Sequence, residues 1–227
     1  MDVLIAVLSY PVSPWRELMC AQMETWDGFY QEGVETIYFQ EGRGLNMDFV
    51  NVLEIPDVEG YNLIYLKIKR ALQVLWRRDW KFMFLTNSSS YVCKRRLMEF
   101  SRTMPETGCY CGELRHDTPG FPFASGCGML LSRDVVQILK EELPESYPGF
   151  HHEGRIFSDV AIAMELAKHG VGVTPGGRRF DYWSHPHETI PDEYHYRCKS
   201  DTSDRNKDIE AFKRIAAMKY HYFSKSE

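Results

Sequence analysis

The chain has 227 residues with 27 Lys and Arg against 32 Asp and Glu, a formal net charge of −5, which argues against a dedicated nucleic-acid binder. With 44% apolar and 26% charged residues it reads as a soluble globular protein, neither disordered nor fibrous. The longest strongly apolar run, Val3 to Leu8, is six residues and lacks a signal peptide's basic lead-in; about 20 are needed to span a bilayer.

That run, stopped by Ser9, Tyr10 and Pro11, predicts a strand buried on both faces, as in a parallel sheet. Ser13 as a cap, Pro14 at the first helical position and Glu17 in the first turn predict a helix from Pro14 to about Thr25. Glu35 to Gln40 and Val50 to Ile55 are strand candidates. Tyr61 to Arg77 carries a wide apolar face suited to a helix packed on a sheet. Lys81 to Thr86 is another buried strand, running into the polar, turn-forming Asn87-Ser88-Ser89-Ser90. A helix from about Lys94 to Arg102 and a strand near Cys109 to Glu113 follow.

This alternation predicts an α/β fold with a mainly parallel mixed sheet and helical crossovers. Ligands of such sheets sit outside the carboxyl ends of the strands, so Ser9–Tyr10 and Thr86–Ser90 mark the expected site. Further on, the Pro/Gly loop Thr118 to Phe123 precedes Ala124-Ser125-Gly126-Cys127-Gly128 and the apolar Met129 to Leu131, and Ser132 can cap the next helix. Phe157 to His169 is a helix ended by Gly170. The aromatic and His-rich stretch Phe180 to Arg197 leads to a final helix from about Asp208 to Tyr220. With no repeats and no long linker, one domain over 1–227 is expected.

The six cysteines show no spaced framework, which points to a reducing compartment and a cytoplasmic location. Cys109 and Cys111 would share one face of a strand, a spacing that suits packing and is not a zinc knuckle. His151-His152-Glu153 and His185-Pro186-His187 contain ligand-type residues but lack helical i, i+4 spacing and an obvious third ligand.

Several segments, taken in order, resemble one family. Leu4 to Ser9 leads to Arg16 and Ala21-Gln22-Met23-Glu24-Thr25-Trp26; Tyr61 to Lys67 follows; Leu85-Thr86-Asn87-Ser88-Ser89-Ser90-Tyr91-Val92 comes next, then Ser125-Gly126-Cys127-Gly128-Met129-Leu130-Leu131-Ser132, and finally Phe157-Ser158-Asp159-Val160. Together they are similar to the motifs of the β-1,3-galactosyltransferase and Fringe glycosyltransferases. The resemblance implies a GT-A, Rossmann-like fold, a nucleotide-sugar half over about 1–113, an acceptor half over about 114–227, and a UDP-sugar donor for a hexosyltransferase that extends a glycan.

One departure is chemical. Asn87-Ser88-Ser89 stand where the family's acidic triplet holds a divalent metal, and Mn²⁺ or Mg²⁺ wants anionic oxygens that an amide and two hydroxyls cannot give. Either the metal is absent or the activity is. Without a metal, the charge of the departing nucleoside diphosphate must be met by Arg, Lys or His. His195, Arg197 and Lys199 alternate, so in an extended segment they would share one face and could clamp a diphosphate; Arg205 follows closely. From Lys67 to Arg102 there are also ten Lys/Arg against two Asp/Glu, bracketing the same turn.

By resemblance, Asp159 is the carboxylate that takes the acceptor hydroxyl's proton in an inverting transfer. It also suits a helix start, where the macrodipole lowers a carboxyl pKa, so a base there needs burial, by Phe157, to offset the dipole. Ser9, Arg16, Lys67, Asn87, Ser88 and Ser89 are further donor-binding candidates. Ser125, Gly126 and Trp183 are candidates for the acceptor; caps, bends and core packing use the same residue types. The competing reading is a non-catalytic nucleotide-sugar or glycan-binding module derived from such an enzyme.

Overall fold

The computed structural model describes residues 1–42, 51–56, 63–116, 122–145, 157–184, 190–200 and 204–223, the last of these with side chains through residue 218. Both histidine-rich groups, 151–153 and 185–187, lie outside them.

Val3–Leu8 forms β1, the helix α1 spans Trp15–Glu24, and β2 (Val34–Glu41) and β3 (Val52–Ile55) follow. Next come α2 (Ile64–Leu75), β4 (Phe82–Asn87), β5 (Ser90–Val92), α3 (Lys94–Ser101), β6 (Tyr110–Arg115), β7 (Phe123–Ser132), α4 (Arg133–Glu142) and α5 (Ser158–Lys168). The chain ends with β8 (Phe180–Asp181), a 3-10 turn over Tyr182–Ser184, β9 (His195–Arg197) and α6 (Asn206–Phe223).

Six strands make the main sheet in the order β3-β2-β1-β4-β7-β6. The first four run parallel, and β7 lies antiparallel to both β4 and β6. The continuous apolar run of β1 has the expected cause: Leu4 and Ala6 enter one core, and Val3, Ile5 and Val7 enter the other. Buried residues of α2, α4 and α5 cover the first face; those of α1, α3 and α6 cover the second. This is the expected mixed, mainly parallel α/β sheet flanked by helices. Among the described residues no helix is long and apolar enough to cross a membrane.

Two differences from the expectation matter. Ser90 does not extend the turn but opens β5, which pairs with β9 and through it with β8 in a second, three-stranded sheet. In addition, β7 begins at Phe123, so the Ser-Gly-Cys-Gly stretch is strand and not only a lead-in to one. Because β7 is antiparallel, with Gly128 opposite Thr86, its first half lies at the carboxyl end of β4. Cys109 and Cys111 are both buried, and burial pushes their thiols up to about 12 and about 11, as packing residues.

Candidate active site

The site forms where β1 and β4 end and β7 begins. Asn87 closes β4 and turns the chain with its own side chain, its Oδ1 accepting the Ser89 N–H at 3.0 Å. The turn is fastened from several directions. Ser88 N–H donates to the Leu8 carbonyl, Ser89 O accepts from Cys198 N–H, and Ser90 O accepts from Gln22 Nε2 at 2.7 Å and Trp26 Nε1 at 3.2 Å. The Ala21–Trp26 motif therefore has a physical purpose, since α1 and the turn after it lay Gln22 and Trp26 against the Asn-Ser-Ser turn.

The turn does not fit a divalent metal. Asn87 Oδ1 is engaged within the turn, Ser88 is buried, and Ser89 Oγ accepts from the guanidinium Nη2 of Arg205 at 2.8 Å. None of the three offers an anionic oxygen, and a cation already lies on the Ser89 hydroxyl. Arg205 is in turn held 2.6 Å from the buried carboxylate of Asp208, and its Nε is buried without a partner. Sequence proximity to Arg197 suggested Arg205 only loosely; its contact with a residue 116 positions away needed the fold.

Asp159 lies in the first turn of α5, and its carboxyl is fixed at both oxygens. Gly126 N–H donates to Oδ2 at 3.0 Å and Val160 N–H to Oδ1 at 3.0 Å. Burial raises its pKa, and these N–H groups and Arg115 offset only part of the rise. Phe157 is 42% exposed, and Gly126 of β7 packs against the carboxyl. Gly126 joins the two halves of the site, since its carbonyl also lies 3.5 Å from Asn87 Nδ2.

Of the expected row of cations, His195 and Arg197 lie two residues apart on β9. His195 is buried, its Nε2 3.1 Å from Ser90 Oγ, and burial with the charges of Arg179 and Arg197 pushes its pKa down to about 3. That shift favours the neutral imidazole. Arg197, opposite Ser90 in the β5–β9 register, is half-buried with its Nε unpartnered, and Lys199 lies beyond the strand and is exposed. A Cβ on Gly128 would lie 2.4 Å from His195 Cε1 and 2.8 Å from Phe84 Cζ, so this glycine makes room for the imidazole. Gly128→Ala is expected to overpack the core and cost about 1–3 kcal/mol, read as a fall of several degrees in Tm; an unchanged Tm would show that His195 can move aside.

Lys67 is fully buried, 3.2 Å from Glu41 Oε2 and 4.3 Å from the Tyr10 ring centre, and burial lowers its pKa against the pull of Glu41. Nine of the ten cations between Lys67 and Arg102 have carboxylate partners, so that block is largely neutralised. Ser9 is buried at the end of β1 with its Oγ unpartnered, and Arg16 is exposed on the first turn of α1. Trp183 donates from Nε1 to the Cys198 carbonyl at 2.8 Å and packs edge-on to Tyr182, which ties it to the core. Ser125 Oγ accepts from Arg179 Nη1 at 2.7 Å; Arg179, hidden in Gly-Gly-Arg-Arg, gave no signal in the sequence.

Away from this site, Glu142, Glu165 and His169 bring ligand atoms within 4.8 Å of one another, but Lys168 Nζ already sits on both oxygens of Glu165.

No family model matches the chain, and no curated protein sequence does. Among solved structures it is similar to a glycosyltransferase involved in the glycosylation of the major capsid of PBCV-1, with a TM-score of 0.57 and 13% identity over 94% of this chain and 100% of that one. It is also similar to S. aureus TarS, with a TM-score of 0.50 and 12% identity over 96% of this chain and 39% of that one. At such identities the likeness carries the fold: this chain has the α/β architecture of a known glycosyltransferase structure.

Proposed function

We propose that the chain is a glycosyltransferase that moves a sugar from a nucleoside-diphosphate sugar, a UDP-sugar by the motif resemblance, to a hydroxyl of a glycan acceptor, with inversion and without a divalent metal. The observation that carries the reading is the meeting of Asp159 and the Asn-Ser-Ser turn at one residue, Gly126, whose N–H holds the carboxyl and whose carbonyl lies beside Asn87. A base with a raised pKa, linked through Gly126 to the carboxyl end of β4, suits such a transfer. In the reaction the acceptor oxygen attacks the anomeric carbon as Asp159 takes its proton, and the nucleoside diphosphate leaves on the opposite face with the bonding pair.

The leaving group's charge then falls to guanidinium and ammonium groups. Arg205 lies on Ser89, and Arg197 and Lys199 are on or just beyond the strand that pairs with Ser90. His195 is left out of this set, because burial and the charges of Arg179 and Arg197 push its pKa down to about 3.

The test is a panel of nucleotide sugars with glycan acceptors, with and without EDTA, scored for nucleoside diphosphate released and sugar transferred. Transfer that persists in EDTA is the expected result. Absolute dependence on added metal overturns metal independence. Donor binding without turnover for every donor favours the second reading, a binding module, which the lack of any carboxylate at residues 87–89 motivates.

A further inference from the structure

A buried guanidinium is costly unless its donors are matched, and Arg179, with 2% of its side chain exposed, is matched from three strands. Nε and Nη2 form a fork onto Asp181 of β8, at 2.8 and 2.9 Å. Nη2 also lies 2.5 Å from Glu113 Oε2 of β6, and Nη1 donates to Ser125 Oγ of β7 at 2.7 Å. Two carboxylates more than balance the cation, and its fixed fork geometry joins the two sheets.

The contact with β7 falls where β7 has the least support of its own. In the β6–β7 ladder Gly112 pairs with Met129 and Leu114 with Ala124, so four residues of β7, Ser125 to Gly128, face the single residue Glu113. Of those four only Gly128 pairs with β4. Ser125, Gly126 and Cys127 therefore lie in an irregular, bulged stretch fixed by side chains. Arg179 holds Ser125, Asn87 and Asp159 hold Gly126, and Thr86 and Ser90 donate their hydroxyls to the Cys127 carbonyl.

We infer that Arg179 is a positioning residue for Asp159: through Ser125 it fixes the bulged start of β7, so that the Gly126 N–H stays on the Asp159 carboxylate. The inference rests on Asp159 being the base of the proposed transfer. Arg179 does not act on Asp159 by its charge. The groups that bear on Asp159 are the N–H groups of Gly126, Val160 and its own backbone, together with Arg115 of β6, and Asp159 in turn bears on Tyr110 of β6. The path from Arg179 runs through its hydrogen bond to Ser125, the backbone from Ser125 to Gly126, and the Gly126 N–H on Asp159.

A loosened β7 withdraws the Gly126 N–H, which favours the ionised carboxylate. The base then titrates at higher pH and is less well aimed. Ser125→Ala cuts the link while leaving Arg179 on Asp181 and Glu113, so the fold is kept; Ser125→Thr restores the hydroxyl, and Arg179→Lys keeps the charge without the fork. For Ser125→Ala and Arg179→Lys we expect kcat lower by about tenfold, the worth of one well-placed hydrogen bond. The acid limb of kcat/KM should move to higher pH with donor affinity unchanged, and Ser125→Thr should restore both.

Asp159→Asn, run alongside, separates the two failures. If Asp159→Asn is inactive but Ser125→Ala and Arg179→Lys keep both kcat and the acid limb, the positioning role is wrong and the base stands. If Ser125→Ala raises only the acceptor KM, Ser125 binds acceptor and the positioning role is likewise overturned. If Asp159→Asn remains active, the reading of the site itself fails.

Discussion

Asp159→Asn is expected to lower sugar transfer by about 10²–10⁴-fold, the usual worth of a positioned general base, while donor binding stays intact. The amide is nearly isosteric but cannot accept the acceptor's proton. It can retain one of the two N–H groups now on the carboxyl, from Gly126 or Val160, and leaves the other unpaired at a cost of about 1 kcal/mol. Against that, the change removes a carboxylate whose charge is penalised by burial, so the fold should persist and Tm should move little. Burial raises the Asp159 pKa, which brings the base nearer to the operating pH. The wild-type rate should therefore fall on acidification through that raised value. Steady-state transfer rates, donor titration by calorimetry and a melting curve on the same variant check all three statements. Undiminished transfer, with the variant folded, moves the base elsewhere.

How much of this could be read beforehand depended on whether the deciding interaction was local. The two-faced apolar runs of β1 and β4 predicted a parallel sheet because burial on both faces leaves no polar alternation, and their ends located the turn at Asn87. The motif resemblance singles out Asp159, and its place in the first turn of α5 agrees with the local pattern. The start of β7 was harder to read, since Ser-Gly-Cys-Gly has little strand propensity and is held by side chains from residues 86, 87, 90, 159 and 179. Charge was read least well. Ten cations between Lys67 and Arg102 suggested a basic field around the turn, yet their partners come from as far as Glu145 and Asp192. The cations that do border the turn, Arg205 and Arg197, arrive from the C-terminal segments, through pairings that no local pattern encodes.

His195 shows what that costs a reading by residue type, and it carries the second large effect. Its imidazole fits against Gly128 and Phe84 and beside Ser90 Oγ, in a closely packed space where a proton would add a buried charge near Arg179 and Arg197. Its pKa is about 3 in the folded chain and about 6.5 unfolded. Above pH 6.5 the ring is neutral in both states and its packing contributes fully. Between pH 6.5 and about 3 the unfolded chain binds a proton that the folded chain refuses, so stability falls as pH falls, by up to about 1.4 kcal/mol per pH unit and roughly 3–5 kcal/mol over the window. Asp159 and Asp208, whose carboxyl pKa values burial raises, act in the opposite sense from the ordinary carboxylate range up to their raised values. The His195 contribution is therefore read as the difference between wild type and His195→Gln, which keeps a hydrogen-bonding group for Ser90 and has no proton to bind. Urea unfolding of both at pH 7.5 and pH 4.5 should give a loss for wild type well above that for the variant, even though the variant starts less stable from imperfect packing. Equal losses in the two proteins would mean that His195 is protonated in the folded chain after all, and a cation at the centre of the site would then return it to the set available to a leaving diphosphate.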